Sequence, residues 1–125
     1  MIKSQRWLLE NADYIGLKRR LIKGSVATLT LAQPKMSRAI MSGEYICLPP
    51  GMMHELVTNE FIAVPKNTVM VASITRNLSK AGLLMNTQYI QSADSVIHAP
   101  TFAGSSVEIK VNTPFLDVMF YEIES

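Results

Sequence analysis

Apolar and polar residues alternate along most of the chain, and this alternation predicts β-strands. The run 25–31, Ser-Val-Ala-Thr-Leu-Thr-Leu, alternates with a period of two and is rich in β-branched residues, as expected for a half-buried strand. Comparable runs follow, and turn signals such as Ser42-Gly43, Gln33-Pro34-Lys35 and Ala99-Pro100 separate them. The predicted strands are 25–31, 44–48, 53–57, 60–64, 68–75, 87–91, 95–98, 105–111 and 115–123.

Two short segments have a helical pattern instead. Residues 4–12 predict an N-terminal helix with Ser4 as its cap, because a hydroxyl can accept hydrogen bonds from the free N–H groups of the first turn. Residues 77–81 predict one helical turn that stops at Gly82, since glycine readily adopts the left-handed conformation. The fold class is therefore mainly β, with a short N-terminal helix and one short internal helix.

Composition favours one domain that associates with copies of itself. The 125 residues suit a single core, and we assign 1–23 to an N-terminal helix and basic segment and 24–125 to a β-barrel, within one domain 1–125. Hydrophobic residues make up 48% and charged residues 18%, which is apolar for a small protein with a large surface. No apolar run approaches the roughly 20 residues that cross a bilayer. We therefore expect burial between subunits and no membrane partner.

Charge and cysteine content exclude several other classes. The net charge of +2 does not indicate a polyanion partner. We expect Lys18-Arg19-Arg20 to be a solvated turn or helix end; a docking patch for an acidic surface or nucleic acid is the alternative, but no aromatic residues interleave with it. Cys47 is the only cysteine, so an intrachain disulfide is excluded, and its apolar neighbours predict burial. Without a signal-peptide pattern, we expect a cytoplasmic or virion location.

Four segments resemble motifs of the dCTP deaminase/dUTPase family, in the family's order. Residues 50–65 resemble its Pro-Gly turn, its Thr-x-Glu and the apolar strand that ends at proline. Residues 76–84, Arg-Asn-Leu-Ser-Lys-Ala-Gly-Leu-Leu, resemble its Arg-Ser-Ser helix, and residues 24–31 and 96–104 resemble its first strand and its hairpin. The resemblance implies a dUTPase-like distorted β-barrel or jelly-roll-like domain that assembles as a homotrimer.

Most positions that carry catalysis in that family are changed here. The resemblance places Ala27 and His98 where the family has acidic residues, and neither can hold magnesium as a carboxylate would. Glu108 lies one position from the family's catalytic glutamate, where this chain has Ile109. The family's closing C-terminal tail has no counterpart before Ser125. We predict a non-catalytic homotrimer without a cofactor, in a structural or partner-binding role such as a virion (phage capsid) decoration or cement protein.

The first alternative is a divergent enzyme that hydrolyses dUTP or deaminates dCTP. It would use Glu108 and Arg76 in catalysis and magnesium as cofactor. The candidate phosphate ligands are Arg76, Asn77 and Ser79, of which Arg76 is retained from the family's helix motif. If this alternative does not hold, we expect Arg76 to form an ion pair between strands or between subunits, and Glu108 to be a solvated strand residue.

The second alternative is a cupin-like metal protein. Its candidate metal ligands are His54, which follows a Pro-Gly turn, and His98. A cupin site needs about three histidines and one glutamate on adjacent strands, whereas this chain has two histidines in all.

Overall fold

The alternating segments form three small antiparallel sheets around one core. The computed structural model describes residues 1–33 and 40–123. Within them the chain is mainly β, as predicted, with two α-helices and a 3-10 turn, Arg19–Leu21. The helices are α1 (Gln5–Ile15) and α2 (Arg76–Lys80). The strands are β1 (Ile22–Lys23), β2 (Val26–Thr30), β3 (Ile40–Ser42), β4 (Tyr45–Leu48), β5 (Met53–Ala63), β6 (Thr68–Ile74), β7 (Leu83–Leu84), β8 (Gln88–Ile90), β9 (Asp94–Ala103), β10 (Val107–Lys110) and β11 (Pro114–Glu122).

Each sheet buries one face against the same core. The strand orders are β1-β2-β11-β6-β8, β10-β4-β3 and β5-β9-β7. The longest pairing joins β5 to β9, from Met53 opposite Phe102 to Ala63 opposite Asp94. Side chains alternate between the two faces of a strand, and every second residue of β5 from His54 to Ile62 is buried. The core joins all three sheets, and its fully buried members include Leu29, Ile46, Ile62, Phe115 and Phe120.

The segments predicted as separate strands 53–57 and 60–64 form one strand, β5. The pairing of β5 with β9 shifts between Val57 and Phe61, which marks an irregularity in the ladder. The residues between these two positions looked like a break in the sequence pattern. They are instead the point at which β5 leaves one register and enters another.

Two predictions about single positions are wrong. Ala99-Pro100 is not a turn, because β9 continues through it to Ala103. Proline is tolerated there because β7 pairs with β9 only at Ala103 and Phe102, which leaves β9 an edge strand at Pro100 on that side. Cys47 is half-buried rather than buried, since it points away from the core between the inward-facing Ile46 and Leu48. The turn predicted at 33–35 extends beyond the described residues.

Helix α1 forms where the sequence predicts it and runs three residues further. The Ser4 hydroxyl accepts a hydrogen bond from the Trp7 N–H at 3.2 Å, which confirms the predicted cap. The Trp7 ring packs against Phe120, with 5.9 Å between the ring centroids. The helix ends at Gly16, which has a φ of 102° and lies against β5. A Cβ at Gly16 would be 2.2 Å from the Phe61 carbonyl oxygen, so only glycine permits this approach.

A buried carboxylate joins the N-terminal segment to two strands. Glu60 on β5 accepts hydrogen bonds from the Thr30 N–H at 2.8 Å and the Thr30 hydroxyl at 2.7 Å, on β2. Lys18 forms an ion pair with the same carboxylate. Lys18 is therefore not the solvated residue that the sequence suggested, whereas Arg19 pairs with the exposed Asp13 at 3.4 Å. The basic segment is partly a structural anchor.

Replacement of Lys18 by methionine tests this anchor. It leaves the buried Glu60 carboxylate without its cation, and we expect the free energy of unfolding to fall by about 2–3 kcal/mol, somewhat less than for a fully buried pair. The expected loss is smaller than for a fully buried ion pair because the Lys18 side chain is 37% exposed. Urea unfolding measures the change. The matched control is Lys110→Met, which breaks an exposed pair with Glu44 and is expected to cost less than about 0.5 kcal/mol. Equal losses in both variants would contradict the anchor.

Candidate functional site

The candidate catalytic and phosphate-binding residues lie on different elements. Arg76 and Asn77 begin α2, and both are exposed. Ser79 lies one turn further along α2, which ends before Gly82 as predicted. Glu108 lies on β10, opposite Cys47 of β4, and its side chain faces solvent. Arg76 and Glu108 therefore belong to α2 and to the β10-β4-β3 sheet, respectively.

The residues at the family's acidic positions do not fit a magnesium ion. Ala27 is buried in β2 and offers no oxygen ligand. His98 lies on the exposed face of β9, where its Nδ1 is 2.9 Å from the Glu55 Oε1. Ile109, which stands where the resemblance expects a glutamate, is buried in the core. Among the residues that the structure describes, no three His, Cys, Asp or Glu side chains are grouped to hold a metal ion.

The two histidines point to opposite faces of the same sheet. His54 on β5 is buried, and its Nε2 donates a hydrogen bond to the Pro49 carbonyl at 2.9 Å. The His54 Nδ1 is also buried and has no hydrogen-bond partner among the described residues. His98 points outward from β9. The structure does not bring these two candidate ligands together.

An uncharged cleft of about 570 Å³ lies where α2, β7 and β8 meet the end of the β5-β9-β7 sheet. Its apolar lining residues are Met53, Ile74, Leu84, Met85, Pro100 and Phe102. Its polar lining residues are Ser79, Asn86 and Gln88. Ser79 is thus the one predicted ligand that reaches this cleft, while Arg76 and Asn77 do not line it. A second cleft, of about 680 Å³ and bordered by Glu44 and Lys110, contains none of the predicted site residues.

The outer surface of the β5-β9-β7 sheet carries four large exposed hydrophobic side chains. We call this surface the apolar face and define it by Met53, Phe61, Leu84 and Phe102, which are 58%, 59%, 52% and 37% exposed. Phe102 lies opposite both Met53 and Leu84, whereas Phe61 lies opposite Val96 at the far end of the sheet. Met53, Leu84 and Phe102 are therefore neighbours, and such an exposed apolar group is typical of an interaction site.

The Thr-x-Glu motif has a structural role that the sequence did not reveal. The Thr58 hydroxyl accepts a hydrogen bond from the Ile97 N–H at 2.9 Å, at the point where the β5-β9 pairing shifts register. Glu60 then points to Thr30 on β2 instead. The neighbouring Asn59 donates to the Leu31 carbonyl at 3.1 Å, which also ties β5 to the β2 side. The motif therefore connects β5 to both β2 and β9.

Comparison with known proteins supports the fold assignment through structure alone. No family model matches the sequence, and no curated protein matches it. A mutant of the dUTPase from phage phi11 of S. aureus is similar with a TM-score of 0.67 and 10% identity, over 87% of this chain and 84% of that chain. The 2'-deoxycytidine 5'-triphosphate deaminase of Agrobacterium tumefaciens is similar with a TM-score of 0.75 and 10% identity, over 95% of this chain and 47% of that chain. The EIAV dUTPase is similar with a TM-score of 0.58 and 16% identity, over 81% of this chain and 89% of that chain.

The chain has the fold of the dUTPase/dCTP deaminase-like superfamily. It spans about half the length of the Agrobacterium deaminase and most of the length of the two dUTPases. Among the described residues, no helix is long and apolar enough to cross a membrane.

The separation of the histidines leads to a prediction about metal binding. Because His54 and His98 face opposite sides of the sheet, we expect added Zn²⁺ to leave the thermal unfolding midpoint unchanged. Differential scanning fluorimetry with and without equimolar Zn²⁺ measures this. His54→Gln and His98→Gln are the matched variants. A metal-dependent rise in the midpoint that either variant removes would support the cupin-like alternative.

Proposed function

We propose that this chain is a non-catalytic protein of dUTPase-like fold that works as a homotrimer in a structural or partner-binding role. One observation carries the proposal: the elements that resemble the family's motifs line their shared cleft with apolar and uncharged polar side chains, and neither Arg76 nor Glu108 lines it. Among the residues that the structure describes, none of those lining the cleft between α2 and the β5-β9-β7 sheet is charged. A nucleoside triphosphate site requires cations around the phosphates and a carboxylate or metal to orient water.

Self-association accounts for the exposed hydrophobic residues. The apolar face extends into the cleft, because Met53, Leu84 and Phe102 belong to both. Burial of apolar surface contributes roughly 25 cal/mol per Å², so contact between copies would stabilise a complex. The charge-poor composition of the chain supports the same proposal.

A decoration or cement protein of a virus particle is the specific form of this role that we favour. A small trimer matches the threefold positions of a capsid lattice, because the symmetry of the complex and of its binding position coincide. The presence of the fold in a phage dUTPase is compatible with a phage origin. We expect the chain to co-purify with particles in multiples of three copies, as measured by quantitative mass spectrometry. Absence from purified particles would restrict the proposal to a cellular partner.

Assembly and turnover can be measured on the same preparation. We expect light scattering at micromolar concentration to give three times the mass of one chain. We expect no turnover of dUTP or dCTP with Mg²⁺ and no thermal shift with either nucleotide, because Arg76 and Glu108 do not line the cleft. A stable monomer would contradict the proposed trimer.

Glu108→Gln is the control for the enzymatic alternative. The substitution preserves the shape of an exposed strand residue, so stability and assembly should remain unchanged. If the native chain turns over dUTP or dCTP and Glu108→Gln does not, the chain is a divergent enzyme and the non-catalytic proposal is wrong.

A further inference from the structure

We propose that the outer face of the five-stranded sheet docks a partner protein that inserts a lysine or arginine side chain towards Asp117. The inference rests on the partner-binding role proposed above and specifies the chemistry of the partner. The surface belongs to β2, β11, β6 and β8, so it is separate from the apolar face of the β5-β9-β7 sheet. We call it the Asp117 face and define it by two rows of outward side chains, Thr28, Asp117 and Ser73, and Met119, Val71 and Tyr89.

The carboxylate of Asp117 lies in the middle of the polar row. Asp117 on β11 is opposite Thr28 of β2 and Ser73 of β6. It is half-buried, and its Oδ1 accepts a hydrogen bond from the Thr28 hydroxyl at 2.9 Å. Within the described part of the chain, no lysine, arginine or histidine forms an ion pair with it. A partner that covers this face removes water from the carboxylate, so the partner must supply a cation in its place.

The apolar row lies directly beside the polar one. Met119 is two residues from Asp117 on the same side of β11, a separation of roughly 7 Å. Met119 is opposite Val71 of β6, and Val71 is opposite Tyr89 of β8. Val71 and Met119 are half-buried, whereas Tyr89 is 72% exposed. Tyrosine and methionine are enriched at protein interfaces, so this row suits apolar side chains around the basic one of the partner.

The two helices of the described residues pack elsewhere. Helix α1 lies against the buried side of the five-stranded sheet, where Trp7 contacts Phe120. Helix α2 packs against β7, which belongs to another sheet. Neither helix therefore covers the Asp117 face.

Charge selects a basic protein surface over other occupants. Neither row of the Asp117 face contains a lysine, arginine or histidine. A two-fold contact of this face with itself would bring two Asp117 carboxylates together without a cation, which is unfavourable. The phosphates of a nucleic acid or of an anionic membrane would be repelled by the same carboxylate. A protein with a lysine or arginine set among apolar side chains matches both rows.

The probe is a library of random dodecapeptides displayed on phage, which samples basic and apolar side chains without assuming a partner sequence. Peptides are selected on the full chain, and fluorescence anisotropy then measures their binding. Asp117→Asn removes the charge but can keep the hydrogen bond from Thr28. Its matched control is Asp94→Asn, at an exposed position of β9. Tyr89→Ser tests the apolar row, and Tyr14→Ser is its control because Tyr14 is 69% exposed on α1.

We expect the selected peptides to be enriched in lysine or arginine next to apolar residues. Asp117→Asn should weaken their binding about tenfold or more, because it removes one member of a charge pair that binding buries. Tyr89→Ser should weaken it about tenfold, as expected for an aromatic residue in an interface. Both control variants should bind within about twofold of the native chain, since surface substitutions outside an interface have small effects. Circular dichroism verifies folding, and Tyr89→Ser keeps the test valid if Asp117→Asn does not fold.

Three results would overturn the inference: selected peptides that lack a basic residue, equal binding by the native chain and both face variants, or no selected peptide at all. Light scattering distinguishes this failure from that of the proposed function. We expect Asp117→Asn to keep the assembly state of the native chain. Loss of assembly in this variant would assign the face to contacts between copies and overturn the basic partner, while self-association would stand. A monomeric native chain would instead overturn the proposed function.

Discussion

The buried carboxylate of Glu60 is the interaction on which the arrangement of this fold depends. It satisfies two groups of Thr30 on β2 and binds Lys18 from the segment after α1, so one side chain joins three parts of the chain. A buried carboxylate without such partners would be strongly destabilising. Glu60 lies within the register shift of β5, where the Thr58 hydroxyl accepts the hydrogen bond of the Ile97 N–H. The resulting geometry also holds Phe61 outward on the same strand.

The local elements could be predicted from the sequence because their signals are local. Alternation identified all the strands except the short β1, β3 and β7, and Ser4 and Gly82 marked the limits of the two helices. Contacts between distant segments gave no such signal. The ion pair of Lys18 with Glu60 joins residues 42 positions apart, and nothing in a basic tripeptide indicates a buried partner. Pro100 was predicted to lie in a turn because proline usually interrupts a strand. The sequence does not show that β7 pairs only with Phe102 and Ala103, which leaves β9 unpaired on that side at Pro100.

The candidate site was only partly predictable for a related reason. The motif resemblance identified positions where the family's acidic residues are replaced, such as Ala27 and His98, but motifs alone do not show what surrounds those positions in the fold. Phe61, Leu84 and Phe102 occupy outward positions of their strands, where alternation favours polar residues. That departure from the pattern was visible in principle. It became interpretable only when pairing placed Leu84 beside Phe102 and both beside the cleft.

We propose that this fold has an assembly surface in place of nucleotide chemistry. Backbone amide hydrogen exchange, measured above and below the concentration of assembly, tests it most directly. The account predicts that assembly slows exchange in residues 53–61, 83–86 and 96–102, and that dUTP or dCTP has no effect. Protection confined to other segments, or protection around residues 76–79 that requires a nucleotide, would contradict the account.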